Sequence, residues 1–228
     1  MSISCTKKAF LFFAFFVMLS IKAQSNFESL NESGFAINHK VSSSYRLNFS
    51  LSSRAYIYRD DVFNYEQRQI DLTHFSTLYL SYNESLSLGV RYRNRDLFDD
   101  SSNELRFTQQ YNFTKSIDPI RFGHRFRLEQ RILDQFTIHR MRYRFAADMP
   151  LNGLKLDVGE AYLIAAMEAL FSTTPVARPE WDHRTTFQLG WLLSESFKLQ
   201  VGLEYRFEAI NIETEQKLFT LISGILNI

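Results

Sequence analysis

The stretch IRFGHRFRLEQRI, residues 120–132, decides how the rest of the chain is read. Ile120, Phe122, Phe126, Leu128 and Ile132 fall on one parity, and Arg121, Arg125, Arg127, Glu129 and Arg131 on the other. Successive side chains of an extended strand point to opposite faces, so this segment reads as a strand with one apolar face and one strongly charged face. The same arrangement returns immediately, with Met141, Tyr143 and Phe145 set against Arg140, Arg142 and Arg144.

Working outward, the period of two recurs along the chain. Tyr45, Leu47, Phe49, Leu51, Ala55 and Ile57 alternate with Arg46, Asn48, Ser50, Ser52 and Arg54. Ile70, Leu72, Leu78 and Leu80 follow, then Leu86, Leu88, Val90 and Tyr92 against Ser87, Gly89, Arg91 and Arg93. Leu105, Phe107, Tyr111 and Phe113 form another row, and later rows lie in residues 154–158, 187–191, 197–207 and 218–228. With residues 35–41 as a weaker first strand, eleven segments are expected. Short links at 42–44, 83–85, 114–118, 150–153 and 194–196 alternate with longer, more polar ones at 59–68, 94–103, 133–139, 169–180 and 209–216. Short turns on one side and long loops on the other fit an outer-membrane barrel. Tyr45, Tyr82, Tyr111, Phe113, Phe122, Phe145, Trp191 and Phe197 lie near the short links, where an aromatic girdle would sit.

The 228 residues include 22 Phe, 11 Tyr, only 4 Pro and 8 Gly, and carry 26 basic against 25 acidic side chains. Near-balanced charge excludes the basic footprint of a nucleic-acid binder, and low Pro and Gly exclude low-complexity readings. Lys7 and Lys8 precede the apolar run 9–21, which is too short for a membrane helix of about 20 residues and reads as a secretory signal cleaved after Ala23. The expected organisation is a signal peptide over 1–23 and one barrel over 24–228. Cys5, the only cysteine, falls in the removed segment, so the mature chain forms no disulfide. A soluble calyx turns its apolar face inward and has about eight strands, fewer than are counted here. The expected fold is therefore all-β: a single antiparallel transmembrane β-barrel of 10 to 12 strands. Bacterial single-chain barrels have an even number, so residues 24–33 add a twelfth strand or residues 35–41 lie outside a wall of ten.

The run from His124 to Arg131, followed by Arg140 to Phe145 and a turn at Pro150, resembles the domain of unknown function 2490 family of outer-membrane barrels. Glu104-Leu105-Arg106, Gln109-Gln110 and Glu160 match as well, and the resemblance covers most of the mature chain. It implies a barrel with no assigned reaction.

The residues themselves point to little chemistry. The histidines at 39, 74, 124, 139 and 183 lack metal-ligand spacing, so no metal and no cofactor are expected. No nucleophile elbow or phosphate-cradling glycine loop occurs, and no enzyme is expected. His74 and Ser76 share a strand face as a base and nucleophile would, and resemble the H-x-S of lipid A deacylases; their other reading is polar residues near a membrane rim. Asp60, Asp61, Asp96, Asp99 and Asp100 lack calcium-loop spacing and read as solvated loop charge.

What remains is the polar face. If the apolar rows meet lipid, Glu104, Arg106, Arg125, Arg127, Glu129, Arg131, Arg140, Arg142, Arg144, Glu204 and Arg206 form a charge network in the lumen. The functional expectation is an outer-membrane protein of a Gram-negative envelope acting as a structural or interaction barrel with an Arg/Glu-filled lumen. A narrow anion-preferring channel is the rival, and a lipid-modifying hydrolase a minor one. Expected partners are outer-membrane lipids and the barrel assembly machinery, the latter reading the terminal row Leu218, Thr220, Ile222, Gly224, Leu226 and Ile228.

Overall fold

The alternating rows become strands that close on themselves. A computed structural model describes residues 27–95 and 103–228. Its eleven strands are β1 (Phe27–Lys40), β2 (Tyr45–Arg59), β3 (Val62–Tyr79), β4 (Glu84–Arg95), β5 (Glu104–Ile117), β6 (Ile120–Ile132), β7 (Thr137–Pro150), β8 (Ala161–Thr174), β9 (Ala177–Leu192), β10 (Phe197–Glu208) and β11 (Glu215–Asn227). They form one closed barrel in chain order, with β11 returning to β1. The expected signal segment and residues 24–26 lie outside the described residues.

The sequence predicts an antiparallel wall of 10 to 12 strands; the eleven strands fall within that range, but the wall is not wholly antiparallel. Consecutive strands run antiparallel, but β1 and β11 run parallel, in register from Phe27↔Gln216 to Asn38↔Asn227. The cause is parity: an odd number of alternating strands brings the first and last together in the same direction. The even count therefore fails in both its forms. Residues 35–41 do join the wall, and Phe27 to Ser33 continue the same strand. Phe27 and Ile228, the first and last described residues, consequently lie at opposite rims. We call the rim where β1 begins the upper rim and the rim where β11 ends the lower one.

Two further expectations change. Two of the long links, 59–68 and 169–180, are mostly strand: Asp60 and Asp61 alone connect β2 to β3, both with positive φ (51° and 63°), as a tight hairpin turn requires. Residues 175–176 likewise suffice between β8 and β9, whereas the link 151–160 at the lower rim is the longer one. The polarity of these stretches therefore records height on the strand and not loop length. The row expected at 154–158 is part of that lower link, and β8 was missed because its inward row, Tyr162, Ile164, Ala166, Glu168 and Leu170, is nearly as apolar as its outward one. Alternation vanishes there, and the strand resembles a plain apolar run.

Inside and outside are inverted relative to a water-soluble domain. Leu51, Leu72, Leu88, Phe126, Leu128 and Phe187 are exposed on the outer surface. Buried side chains include Asp71, Arg93, Glu104, Arg106, Glu129, Arg131, Glu168, Asp182 and Arg206. One small apolar cluster, Leu30, Tyr56 and Phe219 with Leu221 beside it, lies within the seam of β1, β2 and β11. Outside, rings pair toward both ends of the wall: Phe122 lies 6.0 Å from Phe145 and Phe35 6.5 Å from Phe197 in the lower half, and Phe171 lies 4.6 Å from Trp181 and Tyr58 4.9 Å from Phe63 in the upper.

Candidate functional site

Strand parity carries the charged row into the lumen, and neighbouring strands then bring opposite charges within reach. Glu104 of β5 is completely buried among four arginines: Arg106 at 2.5 Å, Arg131 at 2.8 Å, Arg95 at 3.0 Å and Arg93 at 3.8 Å. Glu129 of β6 accepts from Arg142 at 2.9 Å and faces Arg106 at 3.5 Å. Arg142 reaches on to Glu168 at 2.5 Å, which also accepts from Arg125 at 3.1 Å. On the other flank Arg93 donates twice to Asp71, at 2.8 and 2.7 Å. The result is an unbroken run of ion pairs along the wall from β3 to β8.

A second run covers the seam. Arg206 pairs with Glu204 at 2.5 Å and approaches Glu32 at 3.8 Å, and Glu32 accepts from Arg54 at 2.5 Å. Lys217 holds Glu215 at 2.7 Å, Glu208 at 2.9 Å and Glu28 at 3.5 Å. The Arg206 guanidinium also lies 3.6 Å from the centre of the Phe219 ring, a cation–π contact over the apolar cluster. Buried pairs like these specify geometry more than they add stability, because desolvation offsets much of their attraction.

All eleven residues expected in the network, Glu104, Arg106, Arg125, Arg127, Glu129, Arg131, Arg140, Arg142, Arg144, Glu204 and Arg206, lie on the inner face. They do not act alike. Arg140 donates to Ser172 at 2.7 Å and meets Asp182 only at 4.0 Å. Arg127 donates to Gln110 and lies 5.4 Å from the Phe75 ring centre, without an ion pair to any described carboxylate. Arg144 likewise has no described carboxylate partner, although it lines the same cavity. Sequence reading missed the acids that matter most beside Glu104 and Glu129. Asp71 stands on the parity of Gln69 and Thr73 and is discoverable; Glu168 sits in the unrecognised β8, and Glu32 in the stretch 24–33, expected only as an alternative twelfth strand with no face assigned.

Between these wall-bound pairs lies a cavity of about 350 Å³. Its lining holds fourteen arginines and Lys217 against six acids: Glu32, Glu168, Glu180, Asp182, Glu204 and Glu208. Asp71, Glu104 and Glu129 are consumed by the pairs behind the surface, so the excess stays cationic. Below the cavity the inner face passes through a neutral belt of Ser50, Ser52, Ser85, Ser87, Asn112, Ala146 and Ala166 before Arg46, Lys198 and the Arg121–Asp148 pair return charge near the lower rim. Two rings lie flat on the wall there, each over a glycine: Phe75 on Gly89 and Tyr162 on Gly190, where a Cβ would run into the ring.

The other candidates sit elsewhere. His74 and Ser76 face outward, with His74 Nε2 3.1 Å from Ser76 Oγ and Nδ1 3.1 Å from the Asn48 carbonyl. The carbonyl requires the proton on Nδ1, which leaves Nε2 to accept from the serine hydroxyl. Two polar side chains on an apolar surface thereby satisfy each other, and His74 lies 4.4 Å from the Phe49 ring. Asp60 and Asp61 form the β2–β3 turn, Asp61 accepting from Tyr58 at 2.9 Å; Asp96, Asp99 and Asp100 lie outside the described residues. Among the described residues no three His, Cys, Asp or Glu side chains converge as a metal site would need.

A family model described as "Protein of unknown function (DUF2490)" matches residues 33–216 of the chain. No curated protein matches it.

Proposed function

The chain belongs to the DUF2490 family of proteins of unknown function, and from that premise we propose that it is an outer-membrane barrel with a structural or interaction role and no reaction of its own. The observation that carries this reading is the inverted surface: exposed Leu and Phe outside, ion-paired Arg and Glu within. Soluble monomers rarely expose continuous apolar patches beyond a few hundred Å², whereas lipid asks for such a surface. Strands of 12 to 18 residues exceed the roughly 9–11 needed to cross the hydrocarbon layer. The signal-like segment 1–23 supplies the route, and bilayer lipids and the barrel assembly machinery are the partners this role requires.

The two runs of ion pairs, one from β3 to β8 and one over the seam, tie neighbouring strands together, which suits a rigid scaffold. A second reading, a narrow anion-preferring passage, is supported by the fifteen cations facing six acids in the cavity. Fractionation tests the location, with recovery in the outer membrane expected and detergent-free recovery from the periplasm overturning it. Single-channel recording of refolded protein separates the two roles: a scaffold gives no steady current, and a passage gives one that favours anions.

A further inference from the structure

One register row of the wall carries more guanidinium groups than carboxylates, although Arg206 also has Glu204 at 2.5 Å and Arg184 meets Glu208 at 4.0 Å from a neighbouring level. Arg125 of β6 stands opposite Arg144 of β7, Arg144 opposite Glu168 of β8, Glu168 opposite Arg184 of β9, and Arg184 opposite Arg206 of β10. Four guanidinium groups thus share one level with one carboxylate on strands about 4.8 Å apart. That carboxylate is committed to Arg125 and, from the level above, Arg142. Arg127, one inward position above Arg125, has only the neutral Gln110. Like charges directly opposite each other destabilise a sheet, so such a row asks for a counter-ion. The Nε atoms of Arg125, Arg142 and Arg184 are buried without a hydrogen-bond acceptor, which marks where acceptor oxygens are missing.

We propose that the cavity is a binding site for a small, multiply charged oxyanion of the phosphate class, held chiefly by Arg125, Arg127, Arg144 and Arg184. Guanidinium groups present planar forks of donors that match phosphate oxygens, and several forks converging on one space favour a tetrahedral, polyvalent anion over chloride. A volume of about 350 Å³ sits at the small end of ligand pockets and admits one or two phosphate groups. The neutral belt beneath, with Tyr162 and Phe75 flat on the wall, offers no comparable charge, so the anion stops at this level. The proposal rests on the lumen and holds whether or not the barrel conducts.

The probe is inorganic pyrophosphate, titrated calorimetrically into full-length mature protein refolded in micelles, in chloride buffer at constant ionic strength. Saturable binding of one pyrophosphate per barrel is expected, with orthophosphate competing and extra chloride at equal ionic strength failing to compete. Arg127→Gln and Arg144→Gln should each weaken binding about tenfold, as loss of one charged hydrogen-bond donor implies, while Arg121→Gln at the lower rim leaves it unchanged. Neither of the two cavity arginines has a carboxylate to strand, and shifted gel mobility of unheated samples checks that each variant folds. Absence of saturable binding, equal displacement by chloride, or equal weakening by Arg121→Gln overturns the proposal. Should a cavity variant fail to fold, the stoichiometry and chloride competition of the unaltered protein still decide.

Discussion

The upper and lower halves of the lumen are built by the same eleven strands with the same parity, yet they differ in what they enclose: charge crowds the upper half, while in the lower half it is confined to the rim, at Arg46, Lys198 and the Arg121–Asp148 pair. Above, Asp71, Glu104, Glu129 and Glu168 thread through a crowd of arginines, and every strand contributes a charged side chain. Below, serines, small residues and two aromatic rings lie close to the wall. The difference teaches that the charge is placed and not merely tolerated. A barrel that needed only a polar interior could have spread its arginines evenly, with less mutual repulsion at any one level. Concentrating them makes one half sensitive to single charges and leaves the other governed by shape.

The sharpest way to break this contrast is to remove the acid at the centre of the upper half. Glu104 is fully buried and meets four arginines, so Glu104→Ala leaves them facing one another without compensation. Loss of one partner from a buried pair costs about 3 to 5 kcal/mol, and denaturant unfolding in micelles should report a fall of that order. A negligible change would mean that water and counter-ions already screen the arginines, and the upper half would be an open aqueous channel. Next in size is a test of the outer wall, which is apolar beside both halves. Leu128 lies outward between the inward Arg127 and Glu129, so in the proposed outer-membrane setting Leu128→Arg puts charge into the hydrocarbon layer at a cost of about 2 to 4 kcal/mol near mid-bilayer. Gln130→Arg, nearer the upper rim, should cost about 0 to 1 kcal/mol in the same vesicle refolding assay. Equal tolerance at the two positions would remove lipid from the outer face.

How much of this was legible beforehand follows from the same contrast. Parity alone assigned the arginines of β6 and β7 to one face, because an Arg–apolar alternation can be satisfied in only one way on a strand. Parity also held Asp71, whose neighbours Ile70 and Leu72 mark it as inward. It could not find Glu168, since Tyr162, Ile164, Ala166 and Leu170 make the inward row of β8 read as apolar. The closure was illegible for a different reason. A parallel β1–β11 pair depends on the number of strands, a global quantity, whereas turns and alternation are local. Link lengths misled because the polar upper ends of β2, β3, β8 and β9 stand above the apolar band and imitate loops. Which arginines keep a carboxylate and which do not is set by side-chain geometry across several strands, and no spacing in the chain encodes it.

The lower half should answer to volume. Gly190 lies under the Tyr162 ring, whose hydroxyl accepts a hydrogen bond from Gln200 at 2.8 Å and so resists sliding along the wall. Gly190→Ala forces the ring away, and overfilling of this kind costs about 1 to 3 kcal/mol. Unfolding midpoints should fall accordingly while ion selectivity stays as it was, since no charge has moved. A change in selectivity without a change in stability would show that the ring, and not the arginine crowd above, sets passage.

The smallest expected effect completes the comparison with a hydrogen bond in place of an ion pair. Ser87 is buried on the lower inner face and its Oγ lies 2.9 Å from Thr77 Oγ1. Ser87→Ala removes a neutral pair worth about 0.5 to 1.5 kcal/mol, and the half-buried Thr77 hydroxyl can turn to water instead of remaining unsatisfied. The loss should therefore sit at the low end of that range, several-fold below Glu104→Ala under identical unfolding conditions. Added salt should leave both deficits nearly unchanged, because screening acts on solvent-exposed charges and Glu104 and Ser87 are both buried. If both deficits are equal, the division of the lumen into a charged half and a neutral belt has no energetic meaning.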